Sequence, residues 1–344
     1  MSPKNLNVPS KTHRYLLNKL KDKRTYQIYK RFESSLKLNQ NFIVAVSGGP
    51  DSLALSFLTK IYSIKNSLIA KYLIIDHKLR HDSSKEAKLV KTLLETHSIK
   101  LNILNWNGTK PKSNIQSLAR KKRYKLLINE AKNLKIKNIL TGHHFDDLYE
   151  NFFIRILRGS GLRGLVSFEE NSYYDEINFL RPLIKFKKSD LIYVTKKVFM
   201  SYVKDPSNDD DRFTRVRIRK FLKNLQLEGF NEKKFFLTIK NLRFSNESIK
   251  FYTEKNLKDN SSFFKYKNSI ILKKEFFNQS YEIIFRSLMK IIKLVGKKHY
   301  NVRGKKIDNI IKLIISSKNS NLKLTLGNCV IKKVNNSIIV SKEQ

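Results

Sequence analysis

Cysteine is almost absent: Cys329 is the one cysteine in 344 residues. A disulfide framework, a zinc knuckle and a cysteine-held iron–sulfur cluster are therefore excluded within one chain. Long apolar runs are missing too. No stretch approaches the roughly eighteen apolar residues of a membrane span. No apolar run stands behind Met1-Ser2-Pro3-Lys4-Asn5, so a secretory leader is not expected and the cytoplasm is the expected compartment. Acidic side chains are scarce: 29 Asp and Glu face 70 Lys and Arg, a formal charge of +41. A field of that sign attracts polyanions and speeds their capture. A lysine bias of the coding genome, in keeping with the many Asn and Ile residues, explains part of the excess. It does not explain why arginines gather at Arg155, Arg158 and Arg163, and again at Arg212, Arg215, Arg217 and Arg219. Nucleic acid is the expected partner. An acidic membrane surface is the weaker alternative, because no terminal amphipathic segment with a clean apolar face is present.

What is there begins with Ser47-Gly48-Gly49-Pro50-Asp51-Ser52, directly after the apolar run Phe42-Ile43-Val44-Ala45-Val46. The run reads as a buried strand and the residues after Ser52 as a helix. A strand, a small-residue turn and a helix start bring free backbone N–H groups, a helix dipole and two serine hydroxyls to one point, which binds phosphate. Gly48 and Gly49 lack a Cβ and tolerate positive φ, so the backbone can approach an anion. The loop is not of the Walker type, since no Lys follows the glycines, and it is not GxGxxG. A plain capped Gly-Gly turn is the bland alternative, but turn chemistry alone does not call for Asp51-Ser52 entering the helix.

At 40% hydrophobic content the chain can bury a sizeable core, and its length suggests two domains or three. Residues 1–40 read as polar and basic with one helix around Tyr15 to Phe32. Strands follow at 42–46, 68–76, 101–106 and 137–141. Helices are expected at 83–97 (N-cap Asp82 or Ser83), 113–133 (cap Ser113 or Asn114) and 145–157. Alternating strands and helices predict an α/β fold with a parallel sheet covered on both faces. Ligands sit at the carboxyl ends of such strands, where the Ser47 loop, Asp76-His77 and the His143–Asp147 turn all fall. Beyond about residue 225 the pattern changes to long helices at 231–258 and 274–294. The end reads as a β-hairpin, 322–331 against 337–341, around Asn335-Asn336. The expected division is 1–228, a nucleotide-binding catalytic domain, and 229–344, a mainly helical domain ending in that hairpin. No internal repeat is evident.

Thr141-Gly142-His143-His144-Phe145-Asp146-Asp147-Leu148-Tyr149-Glu150-Asn151 is the second key run. Two of Asp146, Asp147 and Glu150 can share a face of the helix start. There they could hold Mg²⁺ on ATP phosphates or bind a cationic amine. An acidic first turn favoured by the helix dipole is the simpler reading. His143 and His144 suit phosphate binding or acid/base work. Adjacent histidines point apart on a turn, which disfavours zinc. Arg158-Gly159-Ser160-Gly161-Leu162-Arg163-Gly164 suits a phosphate or RNA-backbone clamp, or a flexible connector. Asp205-Pro206-Ser207-Asn208 reads as a turn. The alternation in Arg215-Val216-Arg217-Ile218-Arg219 puts guanidiniums on one face, which suits phosphate contacts.

The first loop resembles the PP-loop of ATP pyrophosphatases. Taken together, SGGPDS at 47–52, IDHKLR at 75–80, SLARKKRY at 117–124, TGHHFDDLYEN at 141–151, RGSGLRGL at 158–165, RPL at 181–183 and DPSNDDDRFTRVRIR at 205–219 resemble the tRNA(Ile)-lysidine synthetases. The chain departs from that pattern at Lys78, Leu148 and Asn151, where the family commonly has Gly, Gln and Thr. The resemblance implies a PP-loop catalytic domain and a C-terminal tRNA-binding or accessory domain. It implies a ligase that adenylates the wobble cytidine of a CAU anticodon with ATP, releasing pyrophosphate, and then joins free L-lysine to carbon 2 with loss of AMP. Ser47, Gly48, Gly49, Pro50, Asp51 and Ser52, with His77 and His143, are the expected ATP contacts. Asp51, Asp146, Asp147 and Arg120 are the expected catalytic residues, with Asp51 and Asp147 as Mg²⁺ ligands. Glu150, Arg123, Arg158, Arg163, Arg212 and Arg217 are the expected substrate contacts. Which carboxylate takes lysine and which takes Mg²⁺ stays open, as does the oligomeric state, a homodimer included. A PP-loop tRNA thiolation enzyme and a non-catalytic, nucleotide-dependent RNA-binding module are the alternatives. The thiolation forms considered use several cysteines.

Overall fold

The computed structural model describes residues 11–78, 82–108, 115–203, 210–212, 214–264, 269–297, 302–317 and 322–343. The chain divides into two compact units, Met1–Phe230 and Asn231–Gln344.

The first unit opens with α1 (Lys11–Asn18), a short 3-10 turn (Lys19–Lys21) and α2 (Lys23–Ser35). The expected single helix is thus broken. Asp22 is extended at the break, and its carboxylate accepts from Thr25 N–H at 2.9 Å, a local capping bond that competes with helix continuation. Then come β1 (Phe42–Val46), α3 (Pro50–Lys65), β2 (Ala70–Asp76), α4 (Ser83–Glu95), β3 (Leu101–Asn105), α5 (Ile115–Asn133), β4 (Asn138–Thr141), α6 (Phe145–Leu157), α7 (Leu162–Leu165), β5 (Asn171–Tyr174), β6 (Ile177–Leu180), α8 (Lys188–Phe199) and α9 (Thr214–Leu227). The expected cap at Ser113 or Asn114 and the Asp205–Asn208 turn lie outside the described residues.

The sheet has six strands in the order β3-β2-β1-β4-β6-β5. All neighbours run parallel except β5, which lies antiparallel to β6. Period-two alternation in β1 explains its double burial. Phe42, Val44 and Val46 join Phe57, Leu58 and Ile61 of α3 on one face, while Ile43 joins Leu127, Ile128 and Ala131 of α5 on the other. Each fully buried large side chain of this kind contributes roughly 1.5–3 kcal/mol. The chain runs outward through β1, β2 and β3, then returns to place β4 on the other side of β1. The loops leaving β1 and β4 therefore diverge from adjacent strand ends, a topological switch point.

The second unit contains α10 (Glu232–Asn260), β7 (Ser261–Phe264), β8 (Ser269–Leu272), α11 (Tyr281–Val295), α12 (Gly304–Ser316), β9 (Lys323–Leu326), β10 (Cys329–Val334) and β11 (Ser337–Lys342). Its sheet is antiparallel, in the order β7-β8-β11-β10-β9. The expected single hairpin is therefore the end of a larger sheet. Gly327 and Asn328 both take positive φ (68° and 64°) and fold the expected strand 322–331 back on itself. Leu288, Ile291 and Ile292 of α11 and Ile307 and Ile311 of α12 pack with Leu272, Ile331 and Val340 of the sheet.

Candidate active site

The turn after β1 is shaped by its glycines in two different ways. Gly48 has φ +84°, and a Cβ there would meet Val90 Cγ2 at 2.5 Å, so the position demands glycine. Gly49 is an ordinary extended residue (φ −75°), and a Cβ there would meet nothing within 4 Å, so it borders open space. Pro50 takes the first helical position of α3, where its missing N–H sacrifices no bond. No side chain caps the helix, so the positive end of its dipole is left uncompensated by its own cap. The N–H groups of Ser47 and Gly48 both donate to Ser52 Oγ at 3.1 Å, and Ser47 Oγ lies 3.2 Å from the same atom. The loop's donors thus converge on one oxygen. The loop is braced from behind: Thr195 Oγ1 donates to Pro50 O at 2.7 Å and Val203 N–H to Gly48 O at 3.2 Å.

Gly142 carries the turn after β4 against this helix start. A Cβ at Gly142 would lie 3.1 Å from Ser52 N and 3.2 Å from Asp51 C. The close approach brings the acidic turn to the phosphate-type loop. His144 is the N-cap of α6: its Nδ1 accepts from Asp146 N–H, while Asp147 Oδ2 accepts from His144 N–H at 3.0 Å. The other ring nitrogen, Nε2, lies 3.5 Å from Asp51 Oδ2 and 3.7 Å from Asp147 Oδ2. Burial acts to lower the His144 pKa, but the Asp51 hydrogen bond and the charges of Asp147, Asp51 and Asp146 outweigh it and lift the value to about 9. The lifted pKa favours a proton on Nε2, between the two carboxylates, while Nδ1 keeps its lone pair for Asp146 N–H. Burial acts to raise the Asp147 pKa, but His144, through its ring and its backbone N–H, and Arg215 hold it below the usual carboxylate range. Burial raises the Asp146 pKa.

Asp51 Oδ1 is buried with no hydrogen-bond partner among the described residues. An orphaned carboxylate oxygen at this point suits a cation, either a substrate ammonium or Mg²⁺. No group of three or more metal-ligating side chains exists among the described residues. A Mg²⁺ here would rest on Asp51, with Asp147 beside it, and take its remaining ligands from phosphate and water.

The two histidines do point apart. His143 stacks edge-on against Phe168 and shares a 2.9 Å hydrogen bond with Thr141 Oγ1. Burial, aided by Arg181, Arg120 and Arg215 against the opposing pull of Asp147, drives its pKa down to about 3, so it is a neutral group. Arg181 is itself buried, donates to Glu169 O at 2.8 Å and lies over Phe168. His77 Nε2 accepts from Arg123 Nε at 3.2 Å. Burial first, then Arg123, lowers the His77 pKa to about 4. Asp76 faces inward: it accepts from Lys78 N–H, Ser83 Oγ and Ser84 Oγ and folds the segment entering α4. Arg120 is exposed, donates to Tyr124 OH at 3.1 Å and lies over that ring.

The basic run after residue 210 differs from its strand-like reading. Thr214–Leu227 is a helix, so Arg215 and Arg219 share a face at i, i+4 spacing and Arg217 leaves it. Arg219 Nε binds Glu150 Oε1 at 2.5 Å, and Arg215 Nε lies 4.0 Å from Glu150 Oε2. Glu150 is 2% exposed, so this carboxylate serves an internal ion pair. Arg217 donates to the carbonyls of Asp211 and Arg212, and Arg212 pairs with Asp210 at 2.7 Å. Arg158 and Arg163 are exposed on and after the C-terminus of α6. The expected loop, Asp51, Asp146, Asp147 and His143 thus come together. Arg212 and Arg217 engage their own neighbourhood. Sequence reasoning missed Arg219 as the partner of Glu150, the capping role of His144, and Thr195 and Gly142 as braces. A glycine directly after a short β-branched run was the available signal for the last.

The PP-loop domain family matches residues 19–226. The chain is 34% identical to the tRNA(Ile)-lysidine synthase of Wolbachia pipientis wMel over 90% of this chain and 72% of that protein. It is 37% identical to the tRNA(Ile)-lysidine synthase of Rhodopseudomonas palustris over 58% of each chain. Among solved structures it is similar to the U34-tRNA thiolase NcsA from Methanococcus maripaludis with its [4Fe-4S] cluster (TM-score 0.57, 16% identity, 66% of this chain and 81% of that one). At that identity the likeness speaks for the fold.

Proposed function

Because this chain belongs to the tRNA(Ile)-lysidine synthase family, we propose that its site joins L-lysine to carbon 2 of the wobble cytidine in a CAU-anticodon isoleucine tRNA. The observation that carries this reading is the meeting of a phosphate-type loop, Ser47–Ser52, with the Asp51–His144–Asp147 cluster at one switch point. ATP is the activating substrate of the PP-loop domain. In the first step the cytidine O2 attacks the α-phosphorus, the bond to the β-phosphate oxygen breaks and pyrophosphate leaves. The uncapped start of α3, beside the open space at Gly49, is suited to hold the charge that develops on the phosphates. In the second step the lysine amine attacks carbon 2, the carbon–oxygen bond breaks and AMP leaves with that oxygen. Activation matters because the oxygen by itself is a poor leaving group.

Asp51 would take the incoming cation through its unpartnered Oδ1. A bound Mg²⁺ would neutralise phosphate charge there. Asp146, with its pKa raised by burial, is suited to accept the proton that the lysine amine must lose. His144 Nε2 lies between the carboxylates of Asp51 and Asp147, 3.5 and 3.7 Å from their Oδ2 atoms. Arg120 and Arg123 lie on the rim for phosphate or RNA contact, as do the exposed Arg158 and Arg163. The buried pairing of Glu150 with Arg219 supports a role in fixing α9 beside the turn. The second unit is given an accessory or tRNA-binding role within this reading, and the chain as a whole carries a net charge of +41.

Sulfur transfer fits less well. Cys329 is buried, and its thiol donates to Ile292 O at 3.4 Å. No helix among the described residues is long and apolar enough to cross a membrane. The decisive experiment incubates the protein with ATP, labelled lysine and isoleucine tRNA bearing the CAU anticodon. Label should enter RNA with release of AMP and pyrophosphate. Folded protein that leaves the RNA unlabelled, or that transfers sulfur instead, overturns the reading.

A further inference from the structure

A second surface of the first unit joins the catalytic turn without belonging to it. α2 and the start of α8 enclose a groove of about 690 Å³ lined by Lys23, Arg24, Tyr26, Lys30, Arg31 and Asp190. Four cations face this groove. Two carboxylates answer them: Asp190, which binds Arg24 at 2.9 Å and Arg31 at 3.6 Å, and Glu33, which binds Lys30 at 2.7 Å. The groove therefore keeps a positive excess. Its arginines are held flat, Arg24 over Tyr193 at 4.4 Å and Arg31 over Phe186 at 4.7 Å. Stacking holds the guanidiniums in place, so a phosphate can be met at little further ordering cost. Tyr26 is 45% exposed, with Lys30 Nζ 5.9 Å from its ring centroid. A cationic lining beside an exposed ring is what single-stranded or looped RNA uses.

The groove is also tied to the site. Arg31 donates to Lys185 O at 3.3 Å, and Phe186, beneath Arg31, accepts from Phe145 N–H through its carbonyl at 3.1 Å. Phe145 directly precedes Asp146, whose pKa also feels Lys188 at the start of α8. The groove and the acidic turn are thus linked through Phe186.

We propose that the α2–α8 groove binds the phosphate backbone of the tRNA anticodon arm next to the wobble nucleotide; this rests on the functional reading above. The test is a charge reversal, Lys23→Glu with Lys30→Glu, in the full chain. The tRNA KM and Kd should rise about tenfold or more. Turnover at saturating tRNA and the KM values for ATP and lysine should stay within about twofold. The slope of log Kd against log salt should shrink by about 1–2, one phosphate contact per lysine lost. In parallel, Tyr26→p-benzoylphenylalanine should photocrosslink to the anticodon arm, a readout that does not depend on how the double variant folds. An unchanged Kd and salt slope in folded double variant, or a crosslink that is absent or lies outside the anticodon arm, overturns the groove. Lysine transfer by the unaltered protein is scored first on the same preparation. Its absence overturns the functional reading, while the crosslink is scored separately.

Discussion

The imidazole of His144 lies 3.5 Å from the carboxylate of Asp51, joining the first turn of α6 to the first turn of α3. The contact couples a helix cap to the phosphate-type loop, and it raises the His144 pKa. The same ring nitrogen also reaches Asp147 at 3.7 Å, so one proton organises two carboxylates.

That proton gives a pH signature. The His144 pKa is lifted from 6.5 to about 9, so the folded state binds this proton more tightly than the unfolded chain. The resulting stability is fully present below pH 6.5 and is lost as pH rises through about 9. Denaturant melts of the ligand-free protein from pH 6.5 to 9 should show this alkaline loss, and His144→Gln should remove it. His143 acts in the opposite sense: its pKa is depressed to about 3, so its contribution is present above pH 6.5 and declines as pH falls toward 3.

Asp51→Asn removes the charge but keeps the shape. Lysine transfer should fall by about 100-fold or more, as for loss of one electrostatic contact at a reacting phosphate. The tRNA Kd should stay within about twofold, since phosphate contacts along the RNA dominate affinity. The His144 pKa should drop below about 9 when followed by NMR. An undiminished turnover would remove Asp51 from the chemistry.

The paired glycines separate folding from binding. Gly48→Ala meets both a φ of +84° and the Val90 methyl at 2.5 Å, and should destabilise by about 2–3 kcal/mol. Gly49→Ala meets open space and should change stability by less than about 1 kcal/mol. It should nonetheless raise the KM for ATP, because the added methyl borders the space where phosphate would lie. Thermal melts and ATP titrations of the two variants check the contrast.

Arg219→Ala leaves Glu150 as a buried carboxylate with Arg215, at 4.0 Å, as its remaining ion-pair partner among the described residues. The expected loss is about 2–4 kcal/mol, because an unpaired buried charge costs more than the pair contributes. Adding Glu150→Gln should recover part of it, with a coupling energy of about 1–3 kcal/mol in a double-mutant cycle. Strict additivity would show that the two side chains do not interact.

Lys78 occupies a left-handed conformation, φ +49°, that side chains rarely adopt. Lys78→Gly should stabilise by about 0.5–1 kcal/mol, because removing the Cβ relieves the clash that a side chain suffers there. A chemical melt measures the gain, and a loss instead would show that the Lys78 side chain makes up for its backbone.

Much of the first unit was legible in local pattern. The alternating run Phe42–Val46 and the small residues after it specify a strand and a phosphate-type turn, and Phe145–Leu157 is the helix its periodicity predicts. Other elements were misread where a single residue overrides a pattern. Asp22 ends one helix and begins another, and Gly327-Asn328 folds an apparent strand in two. Alternating Arg215, Arg217 and Arg219 look like a strand face until the backbone is known to be helical, after which residues four apart meet.

From sequence alone came the strand–loop–helix cradle, the acidic helix start, the dearth of cysteine and the strongly positive charge, since each is written in neighbouring residues or in composition. Tertiary structure alone decided that His144 faces Asp51, that Glu150 is answered by Arg219, and that α2 lies beside the start of α8. Those partnerships depend on which strands become neighbours in the sheet and on how closely Gly142 lets two loops approach. Such distances are fixed by packing across the fold, not by spacing along the chain.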